Sequence, residues 1–249
     1  MSRFDIKSFL EKSGGVALAP SILSADFLNL GDEIIALETA GADMIHLDIM
    51  DGHFVDEISF GAPIAKAVLS KTNLPTDAHL MTCEPIKYGK TFANLGVDII
   101  TTHLEILDSI TEWQRFKREM NTSVGLAVNP ETEIKFPESI LEHFDLILVM
   151  SVHPGFSGQK FIPEVLPKIE MLSNLCSQMN LQKLIQVDGG IDESTINLVL
   201  DAGANLIVAG NGFFKPEDFI VPSKTMNPAA DRVAKYAKMT KILKGNLNV

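Results

Sequence analysis

Eight short apolar runs recur along the chain, separated by longer segments whose apolar residues fall at helical spacing. The runs are Val16–Leu23, Asp43–Met50, Pro75–Met81, Val97–Glu105, Ser123–Asn129, Asp145–Val152, Lys183–Gly190 and Asn205–Asn211. They are near-continuous in Ile, Val and Leu rather than alternating, which suits parallel strands covered on both faces. Among the helical segments, Leu28–Ala40 stops at Gly41, Pro85–Leu95 at Gly96 and Ser194–Ala202 at Gly203. Glycine just past a helix supplies the left-handed cap. The phrases AGAD (Ala40–Asp43), LGVD (Leu95–Asp98) and AGAN (Ala202–Asn205) thus repeat one event, a helix stop followed by a buried strand. Strands alternating with helices close into a barrel or form an open doubly wound sheet. No glycine-rich dinucleotide fingerprint follows the first run, which favours the barrel. A length of 249 residues fits one (β/α)8 TIM barrel, expected to span 1–249 as one domain. After Phe219, Pro222 and Pro228 interrupt the pattern, and a helix over Ala229–Leu243 is expected to follow.

Composition narrows the partners. The net charge is −11 and there is no basic stripe, which argues against nucleic acid and anionic membrane. A small anion remains compatible, because backbone N–H groups hold one locally. Two scattered cysteines, Cys83 and Cys176, form no disulfide framework and suit a reducing cytoplasm. Residues Met1–Gly15 lack the apolar run of a signal peptide, and no stretch is apolar for long enough to span a bilayer.

In a barrel of this kind chemistry collects at the C-terminal ends of the strands. His46 and Asp48 lie two apart on the second run and share a face. His79 on the third run and Asp188 on the seventh lie at matching heights. Two imidazoles and two carboxylates suit a borderline divalent ion such as Zn²⁺, Mn²⁺, Fe²⁺ or Co²⁺. A hydrogen-bonded polar layer without metal is the alternative. Asp188-Gly189-Gly190 and Gly210-Asn211-Gly212 close the last two strands, where such barrels often bind phosphate. The loop His153–Lys160 is a further glycine-bearing element placed to close over a ligand. Met50, Met81 and Met150 also sit near strand ends, as core filler or as an apolar wall around a planar intermediate. His103 and Glu105 share a face on the fourth run, with a structural pair and a catalytic pair equally open. Asp26 and Asp51 read as turn or capping residues.

These residues resemble the ribulose-phosphate 3-epimerase family. The matching phrases are APSILSADF (Ala19–Phe27), HLDIMDGHFV (His46–Val55), HLM (His79–Met81), NPET (Asn129–Thr132), MSVHPGFSGQKF (Met150–Phe161) and VDGG (Val187–Gly190). They run in family order from about Val16 to Phe214. The resemblance implies a barrel of the ribulose-phosphate-binding type. It also implies one divalent metal (Zn, Fe, Mn or Co) on His46, Asp48, His79 and Asp188, with Asp48 and Asp188 as the two acid/base groups. Ser21 and His79 would touch substrate. Gly155, Phe156, Ser157 and Gly158, with Gly189-Gly190 and Gly210-Asn211, would hold the phosphate. Met50, Met81 and Met150 would stand over the intermediate.

The implied reaction is inversion at C3 of a ketose phosphate, from D-ribulose 5-phosphate to D-xylulose 5-phosphate, through an enediolate. The expected partners are that phosphorylated ketose and further copies of the same chain. Four departures from the family pattern bear on the substrate: Asp56-Glu57 for Pro-Asn, His153 for Asn, Ser157 for Gly and Asn211 for Ser. Residues 1–15 and 215–249 lie outside the common pattern, as an N-terminal extension and a variable tail. The alternatives are an epimerase of a longer ketose phosphate such as allulose 6-phosphate, a lyase or decarboxylase on the same barrel, and a non-catalytic sugar-phosphate sensor. Lyases and decarboxylases of this kind generally carry a strand-end lysine, and none lies beside His46, His79 or Asp188.

Overall fold

The computed structural model describes residues 4–107, 109–134, 138–214 and 228–245. The middle of the tail, residues 215–227 with Pro222, and the ends 1–3 and 246–249 lie outside the described residues. Each predicted run holds one strand: β1 (Ala17–Pro20), β2 (Ile45–Met50), β3 (Thr76–Met81), β4 (Ile99–His103), β5 (Ser123–Val128), β6 (Leu146–Met150), β7 (Leu184–Asp188) and β8 (Leu206–Ala209). All pair in parallel in the order β1-β8-β7-β6-β5-β4-β3-β2. The two ends of that order meet at a parallel bridge between Ser21 and His46, below which Asp43 and Met44 donate to the Leu18 carbonyl at 3.0 and 3.2 Å. The result is the expected (β/α)8 barrel, nearly closed.

The helices are α1 (Ile6–Lys12), α2 (Leu30–Thr39), α3 (Ala62–Leu69), α4 (Pro85–Leu95), α5 (Ile110–Glu119), α6 (Leu166–Gln178), α7 (Ile196–Asp201), α8 (Asn211–Phe214) and α9 (Pro228–Leu243). Helix α4 shows why the glycine stops were legible. Proline opens it, and Gly96 ends it at φ +100°, donating back to Phe92 and Ala93. Proline suits a first turn, whose N–H has no intrahelical partner. The same reason makes Pro228 the first residue of α9 rather than an interruption. Among the described residues, no helix is long and apolar enough to cross a membrane.

The polar residues that end the repeated phrases do a second job, shared by Asp145 at the corresponding place before β6. Asp43, Asp98, Asp145 and Asn205 each turn a side-chain oxygen onto a backbone N–H of the preceding neighbour strand, at Leu18, Thr76, Val124 and Ile185 (2.8–3.2 Å). Each therefore satisfies an N–H at the strand's start that would otherwise be buried without a partner.

Apolar side chains fall in two layers. Outward-facing residues such as Leu47, Leu126, Val149 and Ile207 pack under the helices. Inward-facing Ala19, Ile99, Leu146, Leu148, Leu184 and Val208 fill the barrel floor. Helix α1 closes that floor: Phe9 is buried in the inner layer, with Phe4, Ile6 and Leu10 packed against it. The N-terminal extension is thus a plug at the end opposite the strands' C-termini. Phe9→Ala is expected to cost roughly 3 kcal/mol, the low end for truncating a buried phenylalanine. Urea denaturation measures this, and a loss below about 1 kcal/mol would mean the plug is dispensable.

Candidate active site

On one side of the interior the apolar floor gives way to polar side chains from neighbouring strands. Strand pairing aligns His46 with Asp77 and Asp48 with His79 across β2 and β3. Asp188, last residue of β7, approaches from the opposite wall. Asp48 Oδ1 lies 3.2 Å from His46 Nε2 and 3.1 Å from His79 Nδ1. Asp188 Oδ2 lies 3.9 Å from each of those nitrogens. One ligand atom from each of the four residues falls within 4.8 Å of all the others. Both imidazoles are fully buried and Asp48 is 5% exposed. The donor set therefore fits a divalent cation, which would also neutralise one buried and one partly buried carboxylate brought close together.

The electrostatics set the two carboxylates apart. Burial opposes ionisation of Asp48, but His46 and His79 outweigh it and hold its carboxyl well below the usual range. Burial and the neighbouring Asp48 charge push Asp188 up to about 6. His46 is raised well above an ordinary histidine: burial works against it, and Asp48 and Asp77 outweigh burial. Two carboxyl groups with proton affinities driven apart are an arrangement for acid and base catalysis.

Several supporting residues are absent from the sequence reading. Asp77 is fully buried beneath His46 and accepts from its Nδ1 at 3.0 Å, while Thr101 and Gln186 donate to the same carboxylate at 2.9 Å each. This turns Nε2 of His46 toward Asp48. The signal was present, since Asp77 lies two residues before His79 and shares its face. On the other side, His103 Nε2 is 2.8 Å from His79 Nε2, and its Nδ1 is 3.1 Å from Glu105 Oε2. Burial lowers His103 to about 4. For Glu105, bonds from His103, Thr132 and the Asn129 N–H outweigh burial and lower it to about 2.

A cavity of about 900 Å³ opens above this group. Asp48 and Asp188 line it, as do Ser21 and the three methionines Met50, Met81 and Met150. His46 and His79 stand behind the carboxylates rather than on the cavity wall. Ser21 donates to Asp48 Oδ2 at 2.6 Å. The far end is walled by Gly155, Phe156, Ser157 and Gly158, by Gly189 and Gly190, and by Gly210 and Asn211. Gly190 sits at φ +64°, where a Cβ would fall 2.7 Å from the Phe161 Cα. Gly158 sits at φ +84°, and a Cβ there would run into the Asn211 amide. Asp26 and Asp51 are the turn residues they were expected to be: Asp26 accepts from the Leu28 N–H, and Asp51 from His53, Phe54 and Cys83. His153 pairs with Glu131 at 3.2 Å.

The family model described as the ribulose-phosphate 3 epimerase family matches residues 17–214. A ribulose-phosphate 3-epimerase of Bacillus subtilis is 44% identical over 204 residues, covering 82% of this chain and 94% of its own. One from Synechocystis is 47% identical over 209 residues, covering 83% and 91%. Among solved structures, a Mycobacterium tuberculosis tryptophan synthase superposes with a TM-score of 0.62 at 12% identity, covering all of both chains. A Pyrococcus furiosus thiamine phosphate pyrophosphorylase gives 0.59 at 14%, covering 95% of this chain and 100% of its own. At those identities the two structures share the fold and nothing narrower.

Proposed function

The chain belongs to the ribulose-phosphate 3-epimerase family, and on that footing we propose that it interconverts D-ribulose 5-phosphate and D-xylulose 5-phosphate by moving a proton at C3. The observation that carries this reading is the pair Asp48 and Asp188, converging from β2 and β7 on one cavity with opposite shifts in proton affinity.

Epimerisation beside a ketone needs a base on one face of C3 and an acid on the other, since the proton must leave one side and return to the opposite one. Asp48, held ionised, takes the proton in one direction. Asp188 supplies one to the far face, and the roles exchange in the reverse direction. Ser21 orients Asp48 through its 2.6 Å hydrogen bond. Met50, Met81 and Met150, all nearly buried, keep water from a flat enediolate. His46, Asp48, His79 and Asp188 would hold one divalent ion, Zn, Fe, Mn or Co, which supplies Lewis-acid stabilisation of charge on the ketone and hydroxyl oxygens.

The phosphate is assigned to the glycine-lined end. There β8 runs through Gly210 into α8, and Gly210, Asn211 and Gly212 line the cavity with Gly189 and Gly190, at the loops after the last two strands where such barrels often bind phosphate. Gly190→Ala forces a left-handed conformation on a residue with a Cβ, at about 1–3 kcal/mol, and drives it into Phe161. It is expected to raise KM for the sugar phosphate by tenfold or more with a smaller change in kcat. Steady-state kinetics check this, and an unchanged KM would remove the phosphate from this end. The assignment as a whole is tested by a substrate panel. A higher kcat/KM on ribulose 5-phosphate than on allulose 6-phosphate supports the pentulose, and the reverse order moves the chain to the longer sugar.

A further inference from the structure

We infer that His103 and Glu105 form a positioning pair that sets the tautomer of His79, and through it the grip of the site on its cation. The inference rests on reading the four-residue group as a cation site. His103 is fully buried between His79 and Phe54, with ring centroids 4.9 and 4.6 Å away. Its two ring nitrogens each have one partner, His79 Nε2 at 2.8 Å and Glu105 Oε2 at 3.1 Å. Glu105 is itself anchored, since its Oε1 accepts from the Asn129 N–H at 2.8 Å and from the Thr132 hydroxyl.

The direction of every bond follows from the end of this chain. A carboxylate only accepts, so His103 must carry its proton on Nδ1. A His79 that ligates the cation through Nδ1 keeps its own proton on Nε2, so His103 accepts at its Nε2. The 2.8 Å contact requires one proton between the two Nε2 atoms, and it must come from His79. His79 therefore carries hydrogen on Nε2 and presents a lone pair at Nδ1, the atom beside Asp48 and Asp188. His46 is held in the same sense by Asp77 directly. His79 reaches its carboxylate through one intervening imidazole, across β3 and β4.

Glu105→Gln has the same shape but one acceptor oxygen where two bonds need one each. If its oxygen faces Asn129 and Thr132, its NH₂ faces His103 and reverses the chain; if it faces His103, two donors collide at Asn129. Zinc affinity, measured by competition with a chromogenic chelator on the stripped full-length protein, is expected to fall about 10–100-fold, the usual effect of losing such a support. His103→Gln, whose amide oxygen still accepts from His79, is expected to lose less than His103→Leu. Proton-detected ¹⁵N spectra of histidine-labelled, zinc-loaded wild type are expected to show hydrogen on His103 Nδ1 and His79 Nε2. Hydrogen on His103 Nε2 would overturn the inference whether or not the variants fold. So would Glu105→Gln binding zinc as tightly as wild type. Wild type that binds no zinc would instead remove the cation site, and the positioning role with it.

Discussion

Asp188→Asn is expected to lower turnover of ribulose 5-phosphate by about 10²–10⁴-fold, the usual contribution of one proton-transfer group. The side chain keeps its shape, and its amide oxygen still points into the group of four. What it loses is the ability to hold a proton at C3 and release it. Asp188 stands beside the ionised Asp48 and is raised to about 6 by burial and by that neighbour. Neutralising it relieves a like-charge contact, so the metal-free variant is expected to melt no lower than wild type. Assays at saturating metal, with metal content measured on the same sample, separate lost proton transfer from lost binding. Near-normal turnover with metal bound would remove Asp188 from the acid/base role.

Stripping the site with a chelator is expected to cost more than any single support residue does. Lewis-acid stabilisation is worth several kcal/mol, and each 1.36 kcal/mol is tenfold in rate, so turnover should fall by roughly 10³-fold or more. Adding one equivalent of Zn²⁺, Mn²⁺, Fe²⁺ or Co²⁺ should restore it. Full activity after exhaustive chelation would leave the four residues as a hydrogen-bonded polar layer.

Much of this was legible along the chain because it depends on local rules. Strand positions follow from apolar runs, and each observed strand sits inside its predicted run because the run's ends are turned into caps and clasps. Asp43 and Asn205 show this, lying at the start of a run yet bonding to a neighbour strand. The pairing of His46 with Asp48 needed only the two-residue period of a strand. What was not legible depends on register and stagger between strands. His103 and Glu105 could be placed on one face, but not against His79, because pairing sets Thr101 beside His79 and the imidazole reaches across from two residues further on. Asp77 was passed over although its spacing to His79 was in view. Helix α1 has ordinary amphipathic spacing, and nothing in that pattern says its apolar side seals a barrel floor.

The most direct measurement is the fate of the C3 hydrogen in heavy water. Two separate carboxylates, one removing a proton and the other delivering one from the opposite side, require xylulose 5-phosphate formed in D₂O to carry deuterium at C3, read by proton NMR. Product that keeps the substrate's own hydrogen at C3 throughout would contradict the assignment of Asp48 and Asp188.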